Sequence, residues 1–118
     1  MADLEITRLC AEAMGYRVYR VGSDGNFPDG VESKWRRDDG PESDLIGEYR
    51  GRLTHNNVGE TRYEPLHDAE QNEQLELWLI KRAKISLDAL FFDITTIRAK
   101  RRAICECVAK MQKDKHER

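Results

Sequence analysis

The sequence predicts an α+β fold: a single-domain sandwich of about three helices and a small, mainly antiparallel sheet. Three observations carry this expectation. Apolar residues recur at helical spacing in early, middle and late segments of the chain. Alternating β-branched and aromatic residues follow the first two of these segments. A stretch rich in glycine, proline and aspartate lies between them and reads as turns and loops. At 118 residues the chain has room for one modest core.

Asp3 is expected to cap the first helix, its carboxylate accepting from free amides of the first turn. Ile6, Leu9, Cys10 and Ala13 then form the apolar face, and Gly15 supplies a left-handed stop. Residues 16–21 read Tyr-Arg-Val-Tyr-Arg-Val, a strand pattern. Residues 22–60 read as a loop-rich insertion punctuated by Asp24-Gly25, Asp29-Gly30 and Asp39-Gly40, with short strands at 31–37 and 44–53.

Order resumes at Tyr63. Pro65 halts any strand before it, and Asp68 with Gln71 has the spacing of a capping box. The second helix is expected to run to Ala83 with Leu75, Trp78, Leu79 and Arg82 on one side. Leu77 and Ile80 widen its apolar surface, enough for two packing neighbours. Residues 84–97 alternate as a strand, with a slip between Phe91 and Phe92 that suggests a bulge or tight hairpin. Thr95 or Thr96 caps the last helix. Its expected buried stripe is Ile97, Ala103, Ile104, Cys107, Val108 and Met111, about 140° wide at 100° per residue. Cys105 falls at the margin of that stripe, and the charged tail 113–118 is expected to fray.

Composition narrows the function. Charged residues make up 36% of the chain and apolar residues 39%, so the core is thin and the surface densely charged. The net charge of −2 excludes a whole-molecule basic field for nucleic acid; any such site must be a local patch. Three cysteines, Cys10, Cys105 and Cys107, make no disulfide framework and read as reduced thiols. Cys105 and Cys107, two apart on a helix, diverge by about 200° and cannot pair with one another. No stretch is apolar enough for a signal peptide or a membrane span, which places the chain in a cytoplasm.

Catalytic and metal signatures are weak. His67 beside Asp68 invites an acid–base reading, but the Asp68 carboxylate is expected to serve as a helix cap, and no distinctive nucleophile accompanies the pair. His55, His67 and the cysteines lack the close paired spacing from which zinc sites are built. No glycine-rich phosphate loop occurs. Neither a metal nor a cofactor is expected, and no catalytic residue is assigned. Two basic clusters remain as candidate binding residues: Lys34, Trp35, Arg36 and Arg37, where the indole can stack or fill a pocket, and Arg98, Lys100, Arg101 and Arg102. The bland alternative for both is a solvated charged surface.

Three blocks, residues 4–16 (LEITRLCAEAMGY), 63–69 (YEPLHDA) and 102–109 (RAICECVA), together resemble small phage and prophage proteins of the ABA-sandwich type, mostly of unassigned function. That resemblance implies helices on two sides of a sheet, a phage origin and a bacterial host cell; it brings no catalytic residues. The function expected is therefore non-enzymatic: an accessory protein that binds a host protein, such as an inhibitor of a host defence complex in the manner of anti-CRISPR proteins. The alternative is a nucleic-acid-binding accessory module that uses the two basic clusters.

Overall fold

The computed structural model describes residues 1–20, 45–55, 61–83 and 96–116. The α+β class stands: three helices and a three-stranded mixed sheet occur among the described residues. The chain divides into two compact units. One comprises Met1–Met14 and Glu64–Arg118 and carries the helices; the other, Gly15–Tyr63, carries the strands. The expected strands at 31–37 and within 84–95 lie outside the described residues.

In the helical unit, α1 spans Asp3–Ala13, α2 Ala69–Ala83 and α3 Ile97–His116. Both α1 and α2 pack on α3. Ile6, Leu9 and Cys10 are buried on α1 as their spacing predicts, and Gly15 follows the helix at φ +88°, a value that favours glycine. Asp3 does not cap. The cap position is Ala2, which makes no side-chain cap bond, and Asp3 is the first helical residue. Its Oδ1 instead accepts from Arg102 Nη1 of α3 at 2.9 Å.

The N-terminus of α2 follows the expected chemistry with one change. Asp68 Oδ1 accepts from the Gln71 amide at 2.9 Å, which satisfies an orphan donor of the first turn. Gln71 Oε1 does not return to Asp68; it reaches further back and accepts from the Glu64 amide at 2.6 Å. The Asp68 amide already donates to the Glu64 carbonyl at 2.9 Å, so the reciprocal arm of the box has no donor left to take. Along α2, Leu75 and Leu79 are buried, whereas Leu77 and Ile80 remain 50% and 45% exposed and do not add the second packing face expected of them.

Thr96 caps α3, its Oγ1 accepting from the Ala99 amide at 3.1 Å. The buried stripe of α3 is Ile104, Cys105, Val108, Ala109 and Gln112. This arc is also about 140° wide, but it is turned by roughly 100°, one residue position, from the expected one. Ile97 is 72% exposed, Ala103, Cys107 and Met111 are only partly covered, and Cys105 is fully buried. The reason is packing on two sides. Small residues at Cys105 and Ala109 let neighbouring helices approach, and burial follows that approach rather than side-chain hydropathy. Burying Ile104 and Val108 is worth about 1.5–3 kcal/mol each.

Polar pairs also record how α1 meets α3. Asp3 and Cys10 both reach the 102–105 stretch, whereas Glu5 and Glu12 reach Lys113 and His116. These pairings bind α1 to both the first half and the last turns of α3. The Glu5–Lys113 and Glu12–His116 pairs, at 3.8 and 2.9 Å, hold the end of α3 in place. The helix extends through His116.

In the strand unit, β1 (Arg17–Arg20), β2 (Leu45–Tyr49) and β3 (Arg52–His55) form a sheet in the order β1-β2-β3. β1 and β2 are parallel, with Arg17 opposite Leu45 and Arg20 opposite Glu48. β2 and β3 are antiparallel, with Ile46 opposite His55 and Tyr49 opposite Arg52. The segment 44–53 is thus not one strand but most of a hairpin. Arg50 at φ +50° and Gly51 at φ +77° make a left-handed two-residue turn, the geometry that matches strand twist. Residues 61–63 extend the ladder: the His55 amide donates to the Thr61 carbonyl at 2.7 Å and the Tyr63 amide to the Leu53 carbonyl at 2.8 Å. Leu45, Ile46, Gly47 and Glu48 of β2 are all buried, as befits the strand paired on both sides.

Candidate functional site

The basic turn of α3 is the part of the candidate site that falls among the described residues; Lys34, Trp35, Arg36 and Arg37 lie outside them. Arg98, Lys100, Arg101 and Arg102 follow the Thr96 cap, and the first turn of α3 carries no acid. Four cations at a helix N-terminus stand against the positive end of the helix dipole, so nearby carboxylates are strongly favoured there.

Two of the four have them. Arg102 Nη1 donates to Asp3 Oδ1 of α1 at 2.9 Å, and its Nε to Glu106 Oε1, one turn along α3, at 2.8 Å. The bond to Asp3, then that carboxylate's charge, raises the guanidinium pKa above its ordinary value, with Glu106 adding to the effect. Lys100 Nζ lies 3.8 Å from Glu76 Oε1 of α2. Arg102 and Lys100 are therefore helix-to-helix ties, and their charge is largely compensated. Arg98 and Arg101 have no ion pair among the described residues. Arg98 is exposed, Arg101 is half-buried, and exposed Ile97 adjoins Arg98. Among the described candidate residues, the cations without an ion pair are Arg98 and Arg101, with exposed Ile97 on the same helical turn.

The other residues singled out in the sequence have structural surroundings. His67 is exposed, and its amide donates to the Glu64 carbonyl at 2.9 Å within the turn that leads into the Asp68 cap. His55 packs edge-on against the Tyr16 ring at 4.8 Å, and Tyr16 meets Tyr63 in the same manner at 5.6 Å. No group of three or more metal-ligating side chains occurs among the described residues. Cys10, Cys105 and Cys107 are free thiols.

Three features were not found by sequence reasoning. A groove of about 430 Å³ in the helical unit is lined by Glu12, Trp78, Arg82, Met111, Asp114 and Lys115 among others. The Arg82 guanidinium stands 5.8 Å from the Trp78 ring centroid, so this indole is a partly covered wall with a cation over it rather than a core residue. Asn72, only 4% exposed, donates through Nδ2 to the carbonyls of Pro65 and Arg101, both at 3.0 Å. Glu48, 6% exposed, sits in β2 between Arg20 and Leu53 in register. Only the last carried a signal, an acid within an otherwise apolar strand.

Among the described residues, no helix is long and apolar enough to cross a membrane. Comparison of the chain with protein-family models, with curated proteins and with solved structures finds no match.

Proposed function

We propose that the chain acts by binding and not by catalysis, as a phage- or prophage-encoded accessory protein that engages a host protein. The target class favoured is a nuclease-based host defence complex, which the chain would inhibit as anti-CRISPR proteins do. The observation that supports a binding role is the Ile97–Arg98–Arg101 turn. Arginine without a carboxylate partner, set beside an exposed apolar side chain, is the composition of an interface anchor for an acidic protein surface. Complementary charge of this kind blocks a site without any chemistry. The phage context rests on the ABA-sandwich resemblance of residues 4–16, 63–69 and 102–109.

The test is plaque formation. In bacteria with an active nuclease-based defence system, expression of the chain is expected to restore plaquing of a targeted phage by at least tenfold. The Arg98→Ala/Arg101→Ala variant, folded by circular dichroism, is expected to lose that effect. A tagged chain should also capture a host protein that survives nuclease treatment. Plaquing that stays at the defended level in every defence background, together with captured material that disappears on nuclease treatment, overturns the proposal in favour of nucleic-acid binding.

A further inference from the structure

Cys10 and Cys105 are far apart in sequence yet meet where α1 packs on α3, and both are 0% exposed. Cys10 Sγ donates to the backbone carbonyl of Cys105 at 3.3 Å. Asn72 Nδ2 approaches Cys105 Sγ at 3.5 Å from the α2 side. A buried cysteine alone is usually a small hydrophobe. Here the thiol of one buried cysteine touches the backbone of a second on another helix, and a side-chain amide approaches the second sulfur.

The surroundings make the two sulfurs unequal. Hydrogen bonding from Cys10 lowers the Cys105 pKa; donation by Asn72 and the charge of Arg102 lower it further, against the opposing effects of burial and Glu106. The same contact with Cys105, reinforced by burial, raises that of Cys10 far above the ordinary thiol range. Geometry points the same way: Asn72 Nδ2 stands beside the Cys105 sulfur, where it supports a thiolate, while Cys10 Sγ spends its proton on the Cys105 carbonyl. A nucleophilic sulfur with a protonated neighbour is the division of labour of a dithiol redox pair. Cys107 takes no part; it lies on the partly exposed flank of α3, and burial raises its pKa.

We propose that Cys10 and Cys105 form a peroxide-responsive dithiol that closes to an intramolecular disulfide and clasps α1 onto α3. The Cys105 thiolate attacks one oxygen of hydrogen peroxide; the O–O bond breaks, the sulfur becomes a sulfenic acid, and the departing hydroxide takes up the proton that the thiol released, leaving as water. The Cys10 sulfur then attacks the sulfenic sulfur, the S–OH bond breaks, and that hydroxide leaves as a second water with the Cys10 proton. Two thiols and one peroxide give one disulfide and two waters, with two electrons passing from sulfur to oxygen. A disulfide needs Cα atoms about 4.4–6.8 Å apart, and the 3.3 Å approach of Cys10 Sγ to the Cys105 carbonyl puts the two residues in direct contact. Both sulfurs are buried, so peroxide reaches them through local opening of α1, whose N-terminus makes no side-chain cap bond.

The experiment uses the full-length reduced chain, treated with hydrogen peroxide at neutral pH without denaturant, then quenched, alkylated and analysed by intact mass and peptide mapping. The expected product has lost two hydrogens, takes up one alkyl group instead of three, and yields a cross-linked peptide joining Cys10 to Cys105. Cys107→Ser is expected to give the same cross-link with no alkyl group. Amide exchange in α1 is expected to slow by at least about tenfold on oxidation. Two or three added oxygens at Cys10 or Cys105 without a cross-link, a cross-link through Cys107, or oxidation confined to Cys107 would each overturn the proposal. The wild type and Cys107→Ser carry the test, so it does not depend on whether Cys10→Ser or Cys105→Ala folds.

Discussion

Asn72 shows how one polar side chain fixes the helical unit. Its Nδ2 serves the Pro65 carbonyl in the turn before α2 and the Arg101 carbonyl of α3, so a single amide ties a loop, a helix start and a neighbouring helix. The Pro65 side chain is itself fully buried, which makes water a poor substitute for the lost donor. A buried carbonyl left without a donor costs roughly 1–3 kcal/mol. Asn72→Ala should therefore destabilise the chain by about 2 kcal/mol, which lowers the thermal midpoint by roughly 8–16 °C. Thermal denaturation followed by circular dichroism measures this; a midpoint within 2 °C of wild type (a scale set by ~0.3 kcal/mol) would show that the bridge contributes little. Asn72→Asp, which replaces the donor by an acceptor facing two carbonyls, should be worse than alanine.

Elements were legible in the sequence where their determinants are local. The Asp68 cap and the Thr96 cap depend on residues three positions on, and both form as the spacing predicts. The Asp3 cap fails because Arg102, 99 positions away, offers that carboxylate a charged partner. The buried face of α3 was misplaced because Met111 and Ile97 are apolar but partly or largely exposed, while Cys105, Ala109 and Gln112 are buried by steric fit between helices. The hairpin at 45–55 was hidden for a different reason: the turn starts with Arg50, not the Asn or Asp that usually marks such geometry. Gly51 then bears the turn. No atom lies within 4 Å of where its Cβ would be, so Gly51→Ala meets no clash and reports the backbone term alone. The expected loss is ~1–2 kcal/mol, read as a lower urea midpoint with an unchanged m-value. A neutral substitution would show that the turn relaxes to another geometry.

For the whole molecule, the candidate site was half legible: composition located both basic clusters, but it could not tell which cations are already compensated. Asp3 and Glu76 are remote in sequence from Arg102 and Lys100, and only the packing of α1 and α2 on α3 brings them together. This sorting sets a limit on nucleic-acid binding by a chain of net charge −2. Counterion release gives a slope of log affinity against log salt of about −0.9 for each phosphate neutralised on duplex DNA. Arg98 and Arg101 acting alone therefore yield a slope of about −2 at most. Lys100 and Arg102 already face Glu76, Asp3 and Glu106 in solvent-accessible pairs of small net strength, and a phosphate must displace those carboxylates before either cation adds to the slope. If the chain is a protein binder, fluorescence anisotropy with a 20-base-pair duplex (about two helical turns) should give weak binding with a slope no steeper than about −2, abolished in Arg98→Ala/Arg101→Ala. Adding Lys34, Arg36 and Arg37 brings the count to five and the slope to about −4.5. A measured slope near that value, reduced by substitutions in both clusters, would mean that the clusters act on one ligand, and that the ligand is nucleic acid.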